Sequence, residues 1–398
     1  MTTMIPKEGR EDLLERGYSR RQFGRIAALL GMPVAAAAAL PHLMGEARAA
    51  PAPAPIPEMN RPDKSGMVRI ASNECWTGPF PSAAEAGAAV IKEGNRYEPS
   101  NLRGNLIETA SRVEGIPATH ILPWPGSSDP LSRVVVTFCS PTRGLVTADP
   151  TFEASWRTGA WLNIKVTKVP LSAKNNYATD VRAMLKADPN AGLYYICSPN
   201  NPTGTLTPVE DIAWLVDNKP AGAVVVVDEA YLHFAGTKSA AYLVAQNKDV
   251  VVLRTFSKLF GMAGLRLGFS FARPDLHARM MRYDGQSQSG TLSVVALAIG
   301  ASSLAQAESI VARRNEMIAA REETFDYLRK RKIAFIPSNA NMFMVNWNQP
   351  ARHVKQQYAA QGIDIGRSWP VWPNMSRITV GSADEMKKFC AATDKVFA

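Results

Sequence analysis

The chain has 398 residues, 46% hydrophobic and 20% charged, with a formal net charge of +10. That balance excludes a disordered, collagen-like or disulfide-scaffold protein and leaves ample material for a core. Residues 1–49 hold seven Lys/Arg and five Asp/Glu, so the remainder carries 38 cations against 30 anions without a long basic block; this argues against nucleic acid as a partner and suits small anionic ligands.

Residues 19–25 read SRRQFGR. An apolar stretch follows over 26–40, too short to span a bilayer comfortably, and 47–49 (ARA) is a small-x-small cleavage site. Charged region, apolar region and cleavage site in that order resemble a twin-arginine export signal. The resemblance implies recognition by an export machinery, cleavage near Ala49, and a periplasmic or otherwise exported mature protein with no membrane segment. Signals of this kind are associated with export of already folded, often cofactor-bearing proteins. Residues 50–67 read as a Pro/Ala-rich linker.

Residues 68–99 read as an N-terminal arm and part of a small domain. From 100 to 325 short apolar runs at 134–138, 144–148, 192–197, 223–227, 250–253 and 266–272 predict buried strands. Helical patterns lie between several of them, including 208–218 with Thr207 as cap. Alternation of this kind predicts an α/β large domain, a mainly parallel sheet between helices. A long charged helix is predicted over 303–332, its RKRK end (329–332) solvated. Residues 326–398, with strands at 342–347 and 377–381 and a final helix, predict a smaller α+β domain. Cys75, Cys139, Cys197 and Cys390 form no CxxC pair, and neither an HExxH nor a Walker loop occurs.

The stretch VLRTFSKLFGMAGLRLGFSF (252–271) places Lys258 and Arg266 in an otherwise apolar segment. A buried ammonium is costly unless paired or chemically used. VVVVDEAY (224–231) puts Asp228 at the end of an apolar strand, where a salt bridge alone would explain it. SPNNPTG (198–204) reads as a turn. GSSD (126–129) opens a helical-looking segment and offers N–H groups to an anion. Together these parts meet the needs of pyridoxal phosphate: a lysine for its aldehyde, an acid for its ring nitrogen, cations and N–H groups for its phosphate, and an aromatic plate in Phe152.

Over roughly residues 68–398 the chain resembles the fold-type I pyridoxal-phosphate aminotransferases, most closely the histidinol-phosphate aminotransferase branch. SNE (72–74), RY (96–97), GSSD, DPTF (149–152), SPNNPTG, VDEAY, RTFSKLFGMAGLRLGF and RITVG (377–381) occur in the family's order. The resemblance implies a seven-stranded-type sheet and a ping-pong transfer of an amino group from an amino acid to a 2-oxo acid. Lys258 would form the internal aldimine and shuttle a proton. Asp228 would hold the pyridinium nitrogen, and Asn201 and Tyr231 would contact the phenolic oxygen. Phe152 would stack on the ring, and Ser128, Asp129, Ser257 and Arg266 would hold the phosphate. Tyr97 would reach the phosphate of a neighbouring subunit, which implies a homodimer. Arg377 would grip the substrate carboxylate, with Asn73 and Arg367 also at the substrate.

The chain departs from the family pattern at Cys75–Trp76, at Pro130 after GSSD, in lacking a tyrosine over 50–72, and in carrying Trp369 and Trp372 beside Arg367. The two tryptophans could line an apolar pocket or simply pack. A histidinol-phosphate aminotransferase is the alternative to a general amino-acid aminotransferase. Other reactions on the same cofactor, such as decarboxylation or lyase chemistry, and a non-catalytic exported binding protein, stay open at this point.

Overall fold

The structure is a computed structural model that describes residues 5–30, 66–97, 99–283 and 292–397. The proposed cleavage site at 47–49 and the linker over 50–65 lie outside the described residues.

Helices α1 (Lys7–Glu15) and α2 (Arg20–Leu29) lead the chain, followed by strand β1 (Val68–Ile70) and helices α3 (Pro81–Val90) and α4 (Leu102–Glu114). The large domain then runs β2 (Ile121–Trp124), α5 (Ser128–Phe138), β3 (Leu145–Asp149), α6 (Ala154–Trp161), β4 (Val166–Pro170), α7 (Val181–Ala187), β5 (Leu193–Cys197), α8 (Val209–Asn218) and β6 (Val224–Asp228). It closes with α9 (Leu232–Ala235), α10 (Tyr242–Ala245), β7 (Val250–Thr255), β8 (Gly268–Phe271), α11 (Pro274–Met281) and α12 (Val294–Leu304). Helix α13 (Ala307–Lys330) leads to the small domain: β9 (Ala334–Ile336), β10 (Met342–Asn346), α14 (Ala351–Ala360), β11 (Ile363–Ile365), β12 (Met375–Thr379) and α15 (Ala383–Val396).

The large sheet has seven strands in the order β2-β8-β7-β6-β5-β3-β4. β8 runs antiparallel to both its neighbours, and the other pairs are parallel. Strand β6 shows why the sheet forms. Its branched side chains suit a pleated surface, and they alternate: Val225 and Val227 face one apolar cluster, Val224 and Val226 the other. Both faces are therefore covered by helices. Each fully buried valine contributes about 1.5–3 kcal/mol.

Two local expectations are corrected. The run 134–138 (VVVTF) is not a strand but the last turns of α5. Helix α5 packs with its valines buried, so tertiary burial overrides the β preference of branched residues. Thr207 does not cap α8. Pro208 stands at the N-cap, and the Thr207 hydroxyl instead accepts a hydrogen bond from the Thr179 N–H at 3.3 Å.

In the small domain, β12-β10-β9 form an antiparallel sheet, and β1 pairs in parallel with β11, so the chain's early segment completes its late one. The basic end of α13 is solvated: Arg329 pairs with Asp326 and Arg331 with Asp394. No single helix among the described residues is long and apolar enough to cross a membrane. Helices α1 and α2 pack against the large domain, burying Leu13, Tyr18 and Ile26 in the cluster beneath α5 and α11.

Candidate active site

The carboxyl ends of β5, β6 and β7 lie side by side, and the loops leaving them carry the predicted chemistry. Asp228 ends β6 and is buried. Its carboxylate accepts from the Tyr195 hydroxyl at 3.0 Å and from the Ala230 N–H at 3.1 Å. Burial pushes this carboxyl up to about 6, against the pull of Tyr195, Ala230 and the Lys258 ammonium. Tyr195 was not legible as a site residue, because a tyrosine inside an apolar strand reads as core.

Lys258 follows β7. Its Nζ lies 5.6 Å from the centre of the Tyr231 ring. Burial, then the Arg377 guanidinium, brings its ammonium down to about 8, with Glu74 and Asp228 opposing. A lysine with that proton affinity supplies a fraction of free amine near neutral pH. The neighbouring buried cation, Arg254, is fully occupied by Glu114 and Glu229.

Tyr231 is buried, and its hydroxyl accepts from the side-chain amides of Asn73 at 3.0 Å and Asn201 at 3.4 Å. Burial raises its phenol above the ordinary value. Asn73 is fixed by Thr379, whose hydroxyl accepts from the Asn73 N–H and donates to its side-chain oxygen. Arg377, on β12, donates to Asn201 Oδ1 at 2.9 Å and to the Ala71 carbonyl at 2.6 Å, while its buried Nε–H has no partner. Asn73, Asn201, Tyr231, Lys258 and Arg377 thus form one cluster, with the Asp228 carboxylate beside Lys258.

A second group lies at the start of α5. Arg266 donates to the Ser257 hydroxyl at 3.2 Å, and its guanidinium occupies the space that a side chain on Gly126 would fill. The missing Cβ lets a cation rest on the GSSD turn. The first-turn N–H groups of α5 and its positive dipole end belong to that same turn. The Asp129 carboxylate is held by Arg133 at 2.7 Å, so the contribution of Asp129 to an anion there comes from its backbone.

Phe152 is half-buried in the turn between β3 and α6. Tyr97 is not brought into the cluster: it is 91% exposed in the turn before α4. Arg367 binds the buried carboxylate of Glu153 through both nitrogens, at 3.0 and 2.9 Å, and lies 4.3 Å from the Trp369 ring centre. Glu153, also held by Arg157, escaped the sequence reading because an acid just before a helix reads as a dipole partner. No cluster of His, Cys, Asp and Glu suited to a metal occurs among the described residues.

The donor set fits pyridoxal phosphate: a lysine of lowered proton affinity, a buried acid beside it, and a cation seated on a glycine turn at a helix start. This fold with this site defines a pyridoxal-phosphate-dependent aminotransferase. The family of class I and II aminotransferases matches residues 65–392, and the chain belongs to that family. It is 29% identical to the histidinol-phosphate aminotransferase of Symbiobacterium thermophilum, over 82% of this chain and 89% of that protein. It is 30% identical to the aromatic amino acid aminotransferase of Rhodococcus erythropolis, over 86% of this chain and 93% of that one. Among solved structures, the histidinol-phosphate aminotransferase of Sinorhizobium meliloti in complex with pyridoxal-5'-phosphate superposes with a TM-score of 0.75, covering 82% of this chain and 90% of that chain at 23% identity.

Proposed function

We propose that the enzyme takes its amino group from an amino acid with an uncharged, aromatic side chain and passes it to a 2-oxo acid. The observation that carries this reading is the Glu153–Arg367 pair. A substrate phosphate or second carboxylate needs a cation with free donors, and Arg367 already has a carboxylate across its fork. Beside it Trp369 is buried against Ile336 and Met344, flanked by Arg367 and Arg377 at 4.3 and 5.7 Å, and backs the site with an apolar wall. The alternative, histidinol phosphate as donor, is favoured by the similarity to the Symbiobacterium protein and disfavoured by the occupied arginine.

Bound pyridoxal phosphate supplies an aldehyde for amine exchange and an electron-withdrawing ring. The chain's residues supply the rest. Ser257, Arg266 and the start of α5 would hold the phosphate. Asp228, kept in place by Tyr195 and Ala230, would serve the ring nitrogen as a hydrogen-bond and charge partner. Asn201 and Tyr231 would serve the ring oxygen, and Phe152 would offer its ring as a stacking plate. Arg377, whose guanidinium is positioned by Asn201 and the Ala71 carbonyl, would orient the substrate carboxylate. Lys258 then takes the proton from the substrate Cα, a role suited to an amine brought down to about 8.

Two further readings belong to this proposal. The exposed Tyr97 supports a homodimer in which it serves the neighbouring subunit. The SRRQFGR stretch supports export beyond the cytoplasmic membrane with pyridoxal phosphate already seated. The test is a donor panel: purified enzyme mixed with phenylalanine, tyrosine, tryptophan, aspartate and histidinol phosphate, following the spectral change of the cofactor. The proposal expects kcat/KM for aromatic donors to exceed the others by about tenfold or more. Preference for histidinol phosphate would overturn it.

A further inference from the structure

The seat of the N-terminal segment on the large domain has no part in the chemistry above. Arg16 donates to the Val136 carbonyl at 2.7 Å and to the Cys139 carbonyl, the last acceptors of α5. The Tyr18 hydroxyl donates to the same Cys139 carbonyl at 2.8 Å. Further along the segment, Gln22 donates to the Leu162 carbonyl at 2.7 Å and Arg25 to the Trp161 carbonyl at 2.9 Å, the end of α6. The segment therefore satisfies the orphan carbonyls of two helix C-termini in turn and sets a cation at each negative dipole end.

The fit extends beyond these caps. Asp12 accepts from Arg282 at 2.8 Å and from the Tyr283 hydroxyl at 2.7 Å, just past α11. Gly9 comes close enough that a Cβ there would stand 3.2 Å from the Arg282 carbonyl. Phe23, Ile26 and Leu30 are buried, while Arg20 and Arg21 are exposed. The carbonyls and side chains that receive the segment come from 136–139, 161–162 and 282–283, pieces far apart in sequence. The seat exists only when the large domain is folded.

We propose that this face of the large domain is a docking surface for the chain's own residues 5–30, and that the docked segment presents Arg20 and Arg21 outward while withholding Phe23, Ile26 and Leu30. The meaning of that display rests on the export reading; the docking does not. A receptor that reads the arginine pair meets it on the docked segment without displacing any contact to the large domain, and the apolar face of α2 becomes available only after the helix lifts off.

The test is amide hydrogen exchange on the full chain with cofactor bound, beside labelling with an arginine-specific reagent. Docking predicts that the α2 amides exchange at least about tenfold more slowly than an unstructured segment. It also predicts that Arg20 and Arg21 are labelled while Arg16 is spared. The double variant Arg16→Ala/Tyr18→Ala should lose both kinds of protection and keep its cofactor absorption. If that variant fails to fold, Gln22→Ala/Arg25→Ala, which touches only the rim at α6, should lose protection over α2 instead. Exchange of wild-type α2 at the unstructured rate, or labelling of Arg16 as fast as Arg20, would overturn the proposal. A protected segment in a chain that is never exported would remove the export reading and leave the docking surface standing.

Discussion

Glu153 grips Arg367 through both carboxylate oxygens, at 3.0 and 2.9 Å, and the guanidinium they hold lies over the Trp369 ring. A cation that related chemistry would offer to a second anionic group is thereby neutralised from within. Glu153→Gln removes the opposing charge and keeps the shape. Steady-state kinetics should then show KM for aspartate, 2-oxoglutarate or histidinol phosphate falling by about tenfold, roughly 1.4 kcal/mol. Turnover of aromatic donors should change little. An unchanged KM for every anionic substrate would mean that the pair does not set specificity.

Asp228 gives the cofactor-free chain a pH signature. Its carboxyl sits at about 6 in the folded protein against an ordinary value of 3.8. A group raised on folding stabilises below its unfolded value, and that contribution is lost as pH rises through the folded one. About two units correspond to roughly 3 kcal/mol. Urea unfolding of cofactor-free protein between about pH 4 and 6, the range these two values define, should show wild type losing stability relative to Asp228→Asn as pH rises. Tyr195→Phe, which deletes a bond to the carboxylate, should move the same loss to higher pH. A relative gain with rising pH would contradict the assignment.

Gly126 has φ +92°, and the Arg266 guanidinium fills the place of its missing side chain. Gly126→Ala carries a double cost, a backbone strained for an L-residue and a displaced cation. Spectrophotometric titration should show pyridoxal phosphate binding weakened by about tenfold or more, with secondary structure unchanged. Wild-type affinity in this variant would show that Arg266 does not need the glycine to reach the phosphate.

Much of this was legible in the sequence, for identifiable reasons. Central strands β5, β6 and β7 are buried along their whole length, so they read as apolar runs, broken only where β6 ends in Asp228 and β7 in Arg254–Thr255. Edge strands β2 and β4 did not: ILPW and VTKVP contain Pro, Thr and Lys, residues suited to an edge and weak as a strand signal. The valine run in α5 misled because branched residues prefer strands, whereas here it is packing that settles the helix. Lys258 and Asp228 stood out because each is a charged residue in an otherwise apolar run, whereas Asn201 and Arg377 were singled out only by the family resemblance of SPNNPTG and RITVG. Tyr195, Thr379 and Glu153 were not, since each acts by touching a residue distant in sequence, and the tertiary fold alone creates those contacts.

The central claim is that Lys258 is the covalent anchor of the cofactor. It is tested most directly by borohydride reduction of purified wild type and Lys258→Ala, each with pyridoxal phosphate, followed by absorption spectra and peptide mass mapping. The account predicts a reducible absorption band in wild type, absent from the variant, and a pyridoxyl mass on the peptide carrying Lys258. A wild type that binds the cofactor without a reducible bond, or a variant that keeps both band and amino transfer, would contradict it.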